Sequence, residues 1–143
     1  MTIGILKEPA GENRVSALPE IAGNFVKMNV GVMVEDGAGQ AAFATNDDYV
    51  NAGASIGSRA EVIGKADILL SIQMPAEEIK GKVLLGVYQP LFNFKQVLTW
   101  ATANNTVFSI DTIPRTTRAQ AMDVLSSQAN IAGYKAVLVA AAE

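Results

Sequence analysis

Residues 59–88, RAEVIGKADILLSIQMPAEEIKGKVLLGVY, decide the fold class. A helical pattern at 59–63, introduced by Ser58 as a candidate N-cap, leads into two short apolar runs at 67–72 and 83–88. The runs are largely continuous in Ile, Leu and Val instead of alternating, as in strands buried on both faces. Working outward, further candidate strands lie at 2–6, 29–35 and 106–111, and further helices at 19–27, 47–52 and 94–103. Pro19 suits a first helical turn, where a missing N–H costs nothing. Asn46 is a second candidate N-cap, and Gly53, Gly64 and Gly81 are candidate helix ends or turns. From Thr117 onward the pattern is almost purely helical. Residues 136–143 carry no stop signal, so the natural protein is expected to continue. Strand–helix alternation of this kind predicts an α/β fold in three layers, an open and mostly parallel sheet covered by helices. Ligands of such sheets bind beyond the carboxyl ends of the strands. The loops after Glu35, Ile72, Tyr88 and Asp111 are therefore the places to look for function.

The chain has 143 residues, which fits one domain, and half of them are hydrophobic, enough for a sizeable core. The net charge is −3 with scattered Lys and Arg, which argues against nucleic acid as a partner. There is no Cys, which excludes disulfides, thiolate metal sites and Cys nucleophiles. There is also no His, the commonest metal ligand and the commonest general base near neutral pH, so no metal site is expected. The most apolar run, at 83–87, is far shorter than the roughly 20 residues of a membrane span. A cytoplasmic domain is expected.

Three stretches have the residue types of a site. Gly37-Ala38-Gly39-Gln40-Ala41-Ala42 matches a dinucleotide fingerprint loosely, but Thr45-Asn46-Asp47 starts a new helix after it. No helix N-terminus is then left for a pyrophosphate, and a structural turn is the better reading. Lys7-Glu8 and Glu12-Asn13-Arg14 follow the first strand and read as a solvated loop with local ion pairs. The third stretch, IPRTTRAQAMDVLSSQ at 113–128, is the most informative. Thr117 and Gln120 have capping-box spacing, which predicts a helix from Arg118. Met122, Leu125 and Ala129 would form its buried stripe, beside a polar stripe of Gln120, Asp123 and Ser126. Arg115 and Arg118 flank the helix start, which itself attracts anions. Cationic, amide, carboxylate and hydroxyl groups thus gather in one area. They suit a polar ligand carrying an amide and a ribose or phosphate, with capping plus a solvated face as the competing reading.

IPRTTRAQAMDVLSSQANIAGYKAV at 113–137 closely resembles the same stretch of the alpha subunits of proton-translocating nicotinamide nucleotide transhydrogenases. IGILKEPAGENRVSALP at 3–19 looks like the family's opening strand and loop, and VEDGAGQAAFATNDDYVNAGASI at 34–56 like its second-strand loop and following helix. ADILLSIQMP at 66–75 and IDTIPR at 110–115 resemble the third and fifth strand exits. Such segments are shared with alanine dehydrogenases, whereas the 118–134 segment is more specific to transhydrogenases. The resemblance implies a flavodoxin-like (Rossmann-like) lobe, residues 1–143, which is one wall of an NAD(H) cleft. The Rossmann NAD-binding lobe with its glycine fingerprint would lie outside this chain. Partners would be that lobe, an NADP(H)-binding domain and a membrane domain. The family implies a dimer, peripheral to the inner membrane through its complex. Arg115, Arg118, Gln120, Asp123 and Ser126 would approach the nicotinamide and its ribose, with Gln120 nearest the incoming NADP(H). The resemblance implies no catalytic acid or base, since hydride passes directly between two nicotinamides. Alanine dehydrogenases use an Arg, a Lys and a His on their substrate. Arg14 matches the Arg, but Gln73 stands in the stretch where the Lys is expected and Gln89 where the His is expected. Alternatives are an NAD-dependent dehydrogenase of the alanine or saccharopine type, and a non-catalytic binding or assembly domain.

Overall fold

The computed structural model describes residues 1–114 and 116–142. Six strands form one parallel sheet: β1 (Thr2–Ile5), β2 (Gly31–Glu35), β3 (Ser55–Gly57), β4 (Ile68–Leu70), β5 (Val83–Gly86) and β6 (Thr106–Ser109), in the order β3-β2-β1-β4-β5-β6. Among the described residues five α-helices accompany them: α1 (Pro19–Lys27), α2 (Asn46–Asn51), α3 (Arg59–Lys65), α4 (Phe94–Thr102) and α5 (Val124–Ala142). The α/β, open parallel architecture is as expected. One strand, β3, has no counterpart among the five expected from sequence. Its three residues are exposed or half-buried at the sheet edge, too short and too polar to stand out as an apolar run.

Alternation along β1 explains the layers. Ile3 and Ile5 join Val32, Val34, Ala22 and Tyr49 in the core under α1 and α2. Leu6 joins Val62, Leu69, Leu84, Tyr88 and Trp100 in the core on the other face, under α3 and α4. Gly4 permits this second core to close: a Cβ there would lie 2.7 Å from Val62 and 2.8 Å from Ala66 of the α3 segment. Gly86 is constrained in the same way by Ser71 O, 2.0 Å from the position of a Cβ.

Local chemistry sets the helix ends. Ser58 caps α3 in a reciprocal capping box with Glu61. The cap of α2 is Thr45, boxed with Asp48, and not Asn46, which instead accepts from Gly37 N–H at 3.0 Å and donates to Asp36 at 2.6 Å. Gly53 and Gly81 take positive φ at turns as expected, whereas Gly64 lies inside α3 instead of ending it.

The largest departure lies after β6. Thr117 and Gln120 form no capping box. Residues Thr117–Met122 are a 3-10 helix with no side-chain cap, and α5 starts only at Val124. Asp123 caps it, accepting from Leu125 N and Ser126 N, both at 3.1 Å. An aspartate holding two amides at once outcompetes the capping geometry offered six residues earlier. The expected buried stripe fails with it. Met122 is 53% and Leu125 47% exposed, Ala129 is exposed, and among the described residues none of α5 is buried. The helix projects from the sheet with little to pack against.

Candidate functional site

At the point where the strand order reverses, between the ends of β1 and β4, doubly wound sheets hold their ligands. Here Glu8 bridges the two strand ends, beside a cavity of about 300 Å³ whose walls include Lys7, Glu35, Arg59 and Glu77. The Glu8 carboxylate accepts from Ile72 N and from Gln73 N, the latter at 2.9 Å. Glu8 is buried, and burial pushes its pKa up against the two amide hydrogen bonds that lower it. Beside it Arg59 joins Glu35, at 2.7 Å, to Glu77 and to the carbonyl of Lys7. Glu35 also accepts from Lys7 N at 2.8 Å. The reading of the loop after β1 as solvated is therefore corrected for Glu8, which is buried and, with buried Glu35, ties three loops together. The one sequence signal was a carboxylate at the end of an apolar strand, GVMVE. A structural latch and a ligand group look alike at that level.

The glycine stretch at 37–42 is a turn followed by a short 3-10 helix, Gln40–Ala42, and no long helix opens within it. Gly39 is required by packing, since a Cβ would meet Tyr49 and Ala44 O at 2.7 Å. The structural reading of this stretch stands.

Further along the strand ends, a cavity of about 390 Å³ is lined by Glu12, Arg14, Gln73, Tyr88, Gln89 and Asn93 among others. The structure thus brings Arg14, Gln73 and Gln89 together. Glu12 occupies the Arg14 guanidinium through both carboxylate oxygens, which holds the Glu12 carboxyl down at about 2. Gln89 adopts a left-handed φ of 47°, and its N–H lies 3.4 Å from Asp111. The cavity offers amides, one neutralised guanidinium, and neither an amine nor an imidazole.

A separate cavity of about 530 Å³ is lined by Ile113, Pro114, Thr116, Thr117, Ala119, Gln120, Asp123 and Ser126. Three of the residues singled out in sequence, Gln120, Asp123 and Ser126, therefore share one concave surface beyond β6. The 3-10 helix and the first turn of α5 meet there, which gathers them despite the broken helix. Ser126 Oγ donates to Asp123 Oδ2 at 2.6 Å. Gln120 is exposed, and its side chain makes no hydrogen bond among the described residues. Arg118 is exposed and is not among the lining residues. Arg115 lies outside the described residues.

The family model of the alanine dehydrogenase/PNT N-terminal domain matches residues 4–132. The chain belongs to that family. The first piece of NAD(P) transhydrogenase subunit alpha of Rhodospirillum rubrum is 40% identical over 155 aligned residues, covering 100% of this chain and 40% of that protein. The crystal structure of transhydrogenase from Sinorhizobium meliloti matches with a TM-score of 0.93 at 36% identity, over 100% of this chain and 45% of that one. Alanine dehydrogenase of Staphylococcus saprophyticus is 35% identical over 115 residues, covering 77% of this chain and 31% of that protein. The chain spans less than half the length of each of these relatives. Within the family, the resemblance to transhydrogenase alpha subunits extends over the whole lobe and the resemblance to alanine dehydrogenases over less of it. Among the described residues no helix is long and apolar enough to cross a membrane.

Proposed function

We propose that this chain is the N-terminal lobe of the NAD(H)-binding domain of an NAD(P) transhydrogenase. In the intact protein a Rossmann lobe completes the cleft, and an NADP(H)-binding domain and a membrane domain are its partners. The activity is hydride transfer between NAD(H) and NADP(H) coupled to proton translocation, carried out by a dimer peripheral to the membrane through its complex. The observation that carries the reading is the cavity that unites Gln120, Asp123 and Ser126. Its volume lies in the range of small-molecule sites, about 300–1,000 Å³. Its polar lining also supplies an amide for a carboxamide and acceptors for ribose hydroxyls.

Bound NAD(H) supplies the hydride. The residues of this chain orient. The Gln120 side chain, unengaged among the described residues, lines the cavity and would be the group nearest the second nicotinamide. Asp123 holds Ser126 and the start of α5, so the ribose meets a hydroxyl and a carboxylate already fixed in place. By the family resemblance, Arg115 and Arg118 would supply positive charge to the cofactor. No side chain has to accept or give up a proton in the transfer, which suits a chain without His. The 143-residue chain alone is expected to bind NADH weakly and to be inactive, because the pyrophosphate's helix N-terminus belongs to the other lobe.

Gln120→Ala in the full-length protein tests the site. Gln120 caps nothing, so its removal is expected to leave the melting temperature unchanged and NADH binding modestly weaker. Stopped-flow transfer to NADP(H) is expected to fall roughly tenfold or more, about 1.4 kcal/mol in the barrier. An unchanged transfer rate per folded molecule would remove the site. In the same preparation, alanine and NAD are expected to yield no NADH, because Gln73 and Gln89 supply neither amine nor imidazole. Alanine-dependent reduction would instead make the protein a dehydrogenase of the alanine type.

A further inference from the structure

Helix α5 carries Ser126 at its first turn and Asp123 as its cap, yet it buries no residue of its own among the described ones. Something other than a core must fix its direction. Among the described residues, a single hydrogen bond joins α5 to the sheet body: Arg14 Nη1 donates to Gln128 Oε1 at 3.1 Å. Arg14 is well prepared for this. Its Nε donates to Glu12 Oε1 at 2.8 Å and its Nη2 to Glu12 Oε2, so both edges of the fork on that side are engaged. The Arg14 backbone N–H donates to the same carboxylate at 3.0 Å, and Glu12 N–H is held by Pro9 O at 3.1 Å. A planar guanidinium held bidentately has only one direction left for Nη1. That direction is toward Gln128, two residues beyond Ser126. Glu12 is only 11% exposed while Arg14 is 52% exposed, so the anchoring carboxylate is sheltered and the arginine it holds is half-exposed. Arg14 and Gln128 both line a mainly apolar cavity of about 670 Å³, together with Val124 and Leu125 of α5.

The geometry points to Arg14 as a positioning residue: with Glu12 as its base and Gln128 as its contact, it is a strut that sets where α5 presents Asp123 and Ser126 to the cofactor. The inference deepens the proposed function and rests on it. It gives Arg14 a task that needs no amino-acid substrate. Orientation of the reacting end is what the strut controls, so its loss acts on the rate of transfer more than on ground-state binding.

The test compares Gln128→Met, which keeps the length and loses the acceptor, with Gln128→Glu, which keeps an acceptor for the guanidinium. Gln128 is exposed, so both variants are expected to fold. In the full-length protein with its NADP(H)-binding partner, Gln128→Met is expected to lower kcat for hydride transfer about threefold or more, with KM for NADH little changed. Gln128→Glu is expected to restore transfer to within about twofold of the natural chain. Arg14→Met combined with Gln128→Met is expected to be no slower than Arg14→Met alone, because both remove one interaction. Gln120→Ala and Ser126→Ala are measured alongside. If those two are slow while Gln128→Met transfers at the natural rate, the strut is overturned and the site stands. If Gln128→Met and Gln128→Glu are equally slow, the loss is one of packing and the strut is overturned too. If none of the variants is slow, the site reading fails and the strut falls with it.

Discussion

The sheet body and the arm that follows β6 are built on different terms. In the body, Trp100 is 1% exposed and meets Tyr88 edge-on, with ring centroids 5.2 Å apart, while Leu84, Leu69 and Ile5 are fully buried. Each helix from α1 to α4 lays at least one buried residue on the sheet. In the arm, Ile131 is 62%, Tyr134 70% and Val137 68% exposed on a helix whose apolar residues follow no single face. A helix apolar all round belongs in an interior. The two regions show that the residues of the candidate cofactor site sit where the lobe has least structure of its own. Their geometry rests on the Asp123 cap and on the proposed Arg14–Gln128 strut.

The contrast between body and arm breaks most readily at Trp100. Trp100→Ala is expected to cost about 3–5 kcal/mol in chemical denaturation, since it removes the largest fully buried side chain. A loss under about 1 kcal/mol would mean that the body is no more tightly packed than the arm.

A smaller effect is expected from acid. The Glu12 carboxyl is held at about 2 against an ordinary 4.5. A depressed folded-state pKa contributes stability that is complete above the unfolded value and is lost as pH falls through the folded one. Melting temperatures of the natural chain and of Glu12→Gln are therefore expected to converge between about pH 4.5 and 2. Glu8 works in the opposite sense, because burial raises its pKa and its ionised form is the costly one. Curves that stay parallel through this range would show that the Glu12–Arg14 pair does not support the fold.

The smallest effect is expected in the arm. Leu138→Ala is expected to change the stability of the 143-residue chain by less than about 0.5 kcal/mol. In the full-length protein the same substitution is expected to cost about 2 kcal/mol, because the proposed Rossmann lobe would bury the side chain. Equal small effects in both would leave α5 exposed in the intact protein and weaken its role as a cleft wall.

Where local signals and burial agree, the fold is legible from residues alone. The runs at β1, β4 and β5 are apolar because both sheet faces are covered, and Ser58 announces α3 because capping needs only neighbours in sequence. Where two local signals compete, the reading fails. Thr117 with Gln120 and Asp123 with Ser126 each offer a helix start, and a linear pattern does not say which carboxylate or hydroxyl finds its amide. The edge strand β3 was missed because its identity lies in the ladder with β2, pairing Val34 with Ile56, and not in its own three residues.

Composition and pattern alone determined the class of sheet and the lack of His and Cys chemistry, because periodicity and residue type carry that information directly; the family came from the resemblance of the 113–137 segment to known sequences, not from its pattern. Only the tertiary structure decided that Glu8 ties the β1 and β4 strand ends together, that Arg14 is engaged by Glu12 and reaches Gln128, and that Gln120, Asp123 and Ser126 meet although the helix expected to align them is broken. Those facts depend on which loops lie side by side at the strand ends. Loop adjacency follows from strand order, and strand order is set by packing across the sheet rather than by any one stretch of chain.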